Sequence, residues 1–213
     1  MIKGYLRTWI NEGAKQGSRL ARFLLDSFGY GGHWIRRAMN EEINLFLKNL
    51  PIDKMSAAEI SGHHFALREW QAYSALEYPD FDICSNEISY INEYDILFCE
   101  QVLEHVWEPQ KALVNLHKML KPDGWLVVST PFLVKIHKCP VDYWRFTPDC
   151  LSRMLVEADF EVENLKHWGN KNCVNANLGN GPWARYQPFR RMKNESDIPV
   201  TVWAYAKKVG IQG

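Results

Sequence analysis

Residues 94–106, YDILFCEQVLEHV, and residues 120–131, LKPDGWLVVSTP, decide the fold of this chain. Tyr94 to Cys99 and Trp125 to Ser129 are short apolar runs with little alternation, as expected of strands buried on both faces of a parallel sheet. Between them, Ala112, Leu113, Leu116, Met119 and Leu120 keep helical period over Pro109 to Leu120. The tetrad Lys121-Pro122-Asp123-Gly124 then reads as a turn. Strand, helix, turn and strand in that order form the repeating unit of a sheet covered by helices.

The pattern continues in both directions. Upstream, Ala57 to Ser61 and Tyr73 to Tyr78 read as strands, with a short third at Phe81 to Cys84; downstream, Pro148 to Ala158 reads as a helix, and Phe160 to His167 and Pro199 to Ala206 as strands. The expectation is an α/β domain over residues 55–213, doubly wound and mostly parallel, with ligands beyond the carboxyl ends of the strands. Residues 1–54 read as an N-terminal helical cap. In it, Leu20, Phe23, Leu24 and Phe28 recur at helical spacing, and Ile43, Leu45, Phe46 and Leu50 mark a second helix ended by Pro51.

Composition narrows the function. The chain has 213 residues, 46% of them hydrophobic, and 25 Lys and Arg against 25 Asp and Glu. With no net charge there is no global field for phosphate backbones or anionic lipid, which argues against a nucleic-acid or membrane partner. The first fifty residues carry eight Lys and Arg against four Asp and Glu, but Glu12, Asp26, Glu41 and Glu42 interrupt the basic face. No run of eighteen apolar residues and no signal-peptide pattern occurs, so the expected location is cytoplasmic. Five widely spaced cysteines without a Cys-x-x-Cys pair read as free thiols in a reducing compartment.

The first strand-to-helix turn is Glu59-Ile60-Ser61-Gly62-His63-His64. Its single glycine excludes a phosphate-cradling loop. An acid before the turn would repel pyrophosphate but suits a ligand with a cationic tail. Glu77, at the end of the second strand, is placed to accept from the vicinal hydroxyls of a ribose, and Asp82, at the end of the third, from an adenine amino group. Each acid alone reads as a solvated surface carboxylate; their placement at successive strand ends favours a ligand.

These residues resemble class I S-adenosylmethionine-dependent methyltransferases of the small-molecule type, over roughly residues 56–168, with the last strand as a continuation. The resemblance rests on Tyr94 to Val106 and Leu120 to Pro131, and it implies a Rossmann-like sheet of the seven-stranded type. It implies S-adenosylmethionine as cofactor, with Glu59, Ser61, Gly62 and His63 near its aminoacyl end. Glu77 and Tyr78 would lie at the ribose, Asp82 and Ile83 at the adenine, and Cys99, Glu100 and Gln101 under the methionine moiety. One departure stands out: Ser61 and His63 occupy places where the family usually has glycine, and a Cβ there blocks the cofactor or forces strained dihedrals.

Methyl transfer from a sulfonium requires an aligned nucleophile, and a hydroxyl acceptor also requires a base. His105 is the first choice as base, with packing against the following helix as the competing role. Gln101, Glu104 and His105 have the i, i+3, i+4 spacing of one helical face. Similar methyltransferases of ubiquinone biosynthesis place metal ligands on such a turn, with an acid where Gln101 stands. Without that charge no metal is expected here.

After the fifth family strand, Pro131 to Pro148 holds His137, Asp142, Tyr143, Trp144 and Arg145, candidates for an acceptor pocket or, alternatively, a packed loop with an internal Asp142–Arg145 pair. The loop resembles an acceptor-side insertion of members associated with glycan assembly. Trp183 to Lys193 is basic and aromatic, and reads as a structural loop, an acceptor-side or homodimer-forming element, or, last, an RNA contact. The expected function is therefore methyl transfer to a small-molecule or glycan-type acceptor at a hydroxyl. The alternative is a catalytically inactive binding or scaffold protein with the same fold.

Overall fold

The Val-, Ile-, Leu- and Phe-rich runs form the middle of one six-stranded sheet, seen in a computed structural model that describes residues 32–179, 181–187 and 190–209. The strands are β1 (Ser56–Ile60), β2 (Ala72–Leu76), β3 (Tyr94–Glu100), β4 (Leu120–Pro131), β5 (Phe160–Trp168) and β6 (Thr201–Lys208). Their order across the sheet is β2-β1-β3-β4-β6-β5. Neighbours from β2 to β4 are parallel, whereas β6 runs antiparallel between β4 and β5. The helices are α1 (Arg37–Lys48), α2 (Pro109–Met119), α3 (Pro148–Glu157) and α4 (Lys171–Leu178).

Alternation along each strand builds two cores. Leu97, Cys99, Leu126, Val128, Val202 and Ala204 face α2 and α3, meeting Leu113, Leu116, Leu151 and Leu155. On the other face Ile96, Phe98, Val127, Trp203 and Tyr205 meet Trp34, Met39, Ile43, Leu47 and Phe65. Each such large side chain contributes about 1.5–3 kcal/mol on burial, so α1 is held chiefly by Met39, Ile43 and Leu47. That i, i+4, i+8 stripe differs from the one expected: Leu45 lies on the outer side, 55% exposed. The expected helix at Leu20 to Phe28 lies outside the described residues.

Three local departures from the sequence reading follow, two on the carboxyl side of β1 and β2 and one at the amino end of β4. Residues 61–71, between β1 and β2, contain turns and no helix. Phe65 instead fills the space over β3, stacked on Phe98 with ring centroids 3.9 Å apart, and Trp70 Nε1 donates to the Phe65 carbonyl. Phe81 to Cys84 is a turn, because Asn115 of α2 donates to the Ile83 and Ser85 carbonyls at 2.8 and 2.9 Å and leaves no strand edge there. Lys121 to Gly124 does turn, but as a bulge inside β4: Leu120 pairs with Tyr94 and Trp125 with Ile96, and Asp123 adopts φ 64°. The helix α4 had no periodic signal; Asn170 caps it by accepting from the Cys173 amide at 2.8 Å.

Candidate functional site

Three glutamates mark the carboxyl ends of three adjacent strands, Glu77 after β2, Glu59 in β1 and Glu100 in β3, and their surroundings differ sharply. Glu59 is buried, and its carboxylate is held by its own turn and by β2. Oε1 accepts from the His64 amide at 2.9 Å, and Oε2 from the Phe65 amide at 3.0 Å and the Tyr73 hydroxyl at 2.8 Å. Burial, then the charge and hydrogen bond of Glu59, raise the Tyr73 pKa well above the usual phenol range. A Cβ on Gly62 would stand 2.4 Å from Glu59 Oε1. The glycine is therefore demanded by the carboxylate folded beneath it.

Glu77 is free of such bonds. Its side chain is 59% exposed, and Oε1 lies 3.8 Å from His63 Nδ1. Tyr78 beside it is also exposed. Asp82 accepts from the Cys84 amide at 2.8 Å, whereas the Ile83 side chain is packed in the core on the α2 side of the sheet. Glu100 receives the Arg36 guanidinium from the turn preceding α1, yet its Oε1 is buried without a hydrogen-bond partner. Cys99 is buried, and burial followed by the Glu104 charge raises its thiol pKa.

Backbone strain collects at the same edge. Five described non-glycine residues have positive φ; Asn92, Asp123 and Asp159 are of the type that tolerates it. The other two, Ser61 at 55° and Gln101 at 56°, directly follow β1 and β3. Gln101 is pinned to β4, its amide donating to the Ser129 carbonyl at 2.9 Å and its Nε2 to Ser129 Oγ at 3.1 Å. The expected helical face of Gln101, Glu104 and His105 is thereby broken: Gln101 is left-handed, and only Leu103–His105 form a 3₁₀ turn.

That turn and the 131–148 loop meet in a second cluster. Glu104 is fully buried, and its carboxylate is met by two imidazoles at ion-pair distance without a well-formed hydrogen bond. Its Oε1 is 3.5 Å from Nε2 of both His105 and His137, whose rings meet edge to face at 5.0 Å. His105 Nδ1 lies against the Val141 carbonyl. His137 donates its backbone amide to Asp142 Oδ2 at 2.7 Å and holds its Nδ1 3.4 Å from the same oxygen. Contact with Glu104 raises the His137 pKa; burial opposes this and Asp142 adds to it. Burial would raise Asp142, but the Arg145 fork and the His137 amide outweigh it and lower its pKa.

Tyr143 joins through its backbone, donating to the Glu104 carbonyl at 2.7 Å. Its ring, with Trp107 and Trp144, makes a partly exposed aromatic ledge beside the cluster. His105, His137, Asp142, Tyr143 and Arg145 are thus brought together. The sequence reading placed Glu104 on one face with Gln101 and His105 but gave it no role, although it is an acid set among Val102, Leu103 and Val106. A separate cavity of about 510 Å³ between α1 and β5, lined by Leu45, Leu165 and Trp168 among others, contains none of these residues.

Comparison with known proteins places the chain in a family. A methyltransferase-domain family model matches residues 22–165. The ubiquinone biosynthesis O-methyltransferase of Rickettsia bellii is 27% identical over 139 residues, 57% of this chain and 52% of that protein. The one from Rickettsia akari is 31% identical over 90 residues, 34% of this chain and 36% of that protein. The matches thus span about half or less of those relatives. Among solved structures, the Burkholderia thailandensis 1,6-didemethyltoxoflavin-N1-methyltransferase, bound to 1,6-didemethyltoxoflavin and S-adenosylhomocysteine, superposes with a TM-score of 0.55 at 12% identity, covering 98% of this chain and 89% of that one. The [4+2]-cyclase SpnF gives 0.55 at 16% identity over 84% of each chain. At these identities the structures speak for the fold alone. The family model covers more than half of the sequence, and the chain belongs to the class I S-adenosylmethionine-dependent methyltransferase family.

Proposed function

We propose that this protein is an S-adenosylmethionine-dependent methyltransferase that methylates a hydroxyl of a small-molecule or sugar-type acceptor in the cytoplasm. Beyond family membership, one observation carries the reading: Glu77 and Glu100 both retain acceptor capacity at the carboxyl edge. The contact of Glu77 with His63 is exposed and worth about 0–1 kcal/mol, so ribose hydroxyls can replace it. The orphaned Glu100 Oε1 lacks a donor, and the ammonium of a methionine tail is a donor of matching charge. When bound, the cofactor supplies a sulfonium-activated methyl group.

The remaining tasks fall to the chain itself. His105, with Nδ1 held at the Val141 carbonyl, presents Nε2 as the proton acceptor for the hydroxyl. Trp107, Tyr143 and Trp144 offer flat faces to a sugar or ring. Arg145 is spent on Asp142, and so orients the loop rather than reaching the acceptor. The relatives named as O-methyltransferases support oxygen as the methylated atom, and five free thiols suit a reducing compartment.

The Glu59 turn favours a second reading, a catalytically inactive binding or scaffold protein, because a carboxylate already holding three protein donors keeps at most one acceptor site for a ligand. Calorimetry of the full chain with S-adenosylmethionine and S-adenosylhomocysteine separates the two. Saturable binding that is weakened in Glu77→Ala supports the enzyme; absence of heat at millimolar ligand supports the scaffold.

A further inference from the structure

We propose that the cleft between α1 and β5 binds a free α-amino acid with an apolar side chain, at a site separate from the residues assigned to cofactor and acceptor. The cleft encloses about 510 Å³, within the usual span of small-molecule sites, roughly 300–1,000 Å³. Its helical wall follows from the sequence. Ala38, Glu41, Glu42 and Leu45 stand at i, i+3, i+4 and i+7, one face of α1, while Met39, Ile43 and Leu47 form the adjoining face and fill the core. Opposite lie residues 165–168 of β5, with the buried Trp203 of β6 beside them.

The charges at this cleft come in opposite pairs. Lys166 of β5 reaches across to Glu42 of α1, and Arg37 answers Glu41 within the helix. The cleft therefore offers no net charge to a simple cation or anion. It offers instead one carboxylate and one ammonium in contact, Glu42 and Lys166, their side chains 40% and 36% exposed. An α-amino acid carries the matching set, an ammonium and a carboxylate separated by one carbon. An exposed ion pair contributes little to stability, so this contact can open and be exchanged for two charge-assisted ones, ligand ammonium to Glu42 and ligand carboxylate to Lys166.

The rest of the wall selects the side chain. Leu45 is 55% exposed although its helix packs on the sheet, and it lines the cleft with Leu165 and Met192. The polar atoms nearby are committed: Trp168 Nε1 donates to the Met192 carbonyl at 2.9 Å, and Asn194 accepts from the Gly169 amide at 2.9 Å and donates to the His167 carbonyl at 3.2 Å. Trp203 Nε1 and His167 Nδ1 lack partners but are buried. A polar side chain would find few groups to answer it, whereas an aliphatic or aromatic one covers apolar surface that Leu45 leaves in water. Binding here does not require that the chain transfer methyl groups.

The test uses the full chain and ligand-observed nuclear magnetic resonance, which reads weak affinities, with L-phenylalanine and L-leucine as probes. N-acetyl-L-phenylalanine, which lacks the ammonium, and L-phenylalaninamide, which lacks the carboxylate, serve as comparisons. Saturable binding of the two amino acids is expected, with each blocked derivative weaker by roughly 10-fold or more, the loss of one charge-assisted hydrogen bond. Glu42→Gln and Lys166→Gln, on exposed side chains, are each expected to weaken L-phenylalanine by a similar factor and Leu45→Asp to weaken it as well, whereas Glu100→Gln leaves it unchanged. Absence of saturable binding by the folded wild-type chain, a blocked derivative that binds as tightly as L-phenylalanine, or a folded Glu42→Gln with unaltered affinity overturns the proposal. So does loss of binding in Glu100→Gln with retention in Glu42→Gln, which would put the amino acid at the cofactor edge. Cofactor calorimetry reports the methyltransferase reading separately, so that either can fail alone.

Discussion

Gly62→Ala tests what the first turn is built around. The added Cβ would sit 2.4 Å from Glu59 Oε1, with the carboxylate carbon at 3.1 Å. Real Cβ contacts stay beyond 3.0 Å, so Oε1 must move by at least half an ångström while three donors at 2.8–3.0 Å hold its carboxylate in place. The least costly response gives up the His64 amide bond, a charge-assisted bond worth about 1.5–3 kcal/mol. The most costly swings the carboxylate out, frees all three donors and loosens Phe65 over Phe98, on the order of 5 kcal/mol. A loss of about 2–5 kcal/mol is expected in urea unfolding followed by tryptophan fluorescence. Gly181→Ala, where a Cβ meets nothing within 4 Å, should change little. In a Glu59→Ala background the Gly62→Ala cost should shrink, because its collision partner is gone. Stability within about 0.5 kcal/mol of wild type would refute the reasoning; lost cofactor affinity with intact stability would assign the glycine to ligand approach instead.

Glu77→Ala should weaken S-adenosylmethionine binding by about 1.5–3 kcal/mol, read by calorimetry, if it accepts ribose hydroxyls as a charged group; unchanged affinity removes it from the site. His105→Ala should lower turnover by roughly 10²–10⁴-fold while leaving cofactor affinity nearly intact, measured once an acceptor is in hand. Asp95 tests the pH response of the opposite edge. Burial would raise its pKa, but Lys121 at 2.8 Å and the Ser56 amide and hydroxyl, both at 2.7 Å, outweigh burial and bring it below 3.8. A depressed carboxyl contributes stability that is complete above its unfolded pKa and disappears as pH falls through the folded value. Asp95→Asn should therefore flatten the stability profile below about pH 4 while lowering stability at neutral pH.

What the sequence disclosed follows its periodicity. Tyr94 to Cys99 and Trp125 to Ser129 are buried on both faces, so their apolar runs had no competing interpretation, and α2 between them kept a clean helical stripe. Phe81 to Cys84 looked like a strand because Phe81 and Ile83 are apolar. Two hydrogen bonds from Asn115, remote in sequence, hold it as a turn, and local pattern carries no trace of them. Residues 61–71 defeated the expectation of a helix for a related reason: Phe65 and Trp70 are drawn to Phe98 on β3, a tertiary contact that outweighs local propensity. At the site, acids at strand ends were legible from spacing. The union of His105 with His137 was not, because it depends on how the 131–148 loop folds back onto the β3 turn.

The absent helix after β1 changes how this edge can recognise a ligand. A helix there would turn its first amides outward as donors for an anion. Here the His64 and Phe65 amides point back to Glu59 and are consumed by it, so these two are not offered to phosphate. The carboxylates left at the ends of β2 and β3 are Glu77 in solvent and the buried Glu100, whose Oε1 has no partner and whose charge Arg36 offsets in part. Under the proposed reading such an edge would favour a ligand with hydroxyl donors at one end and a positive charge at the other over a nucleotide whose tail is a pyrophosphate. The strained backbones of Ser61 and Gln101, one on each side of Glu59's strand end and β3's, sit where such a ligand would pass between the two turns. Strain at these two loop starts is offset in part by the bonds of Gln101 to Ser129 and of the Ser61 amide to Leu76, and ligand contact along this edge would offset the rest.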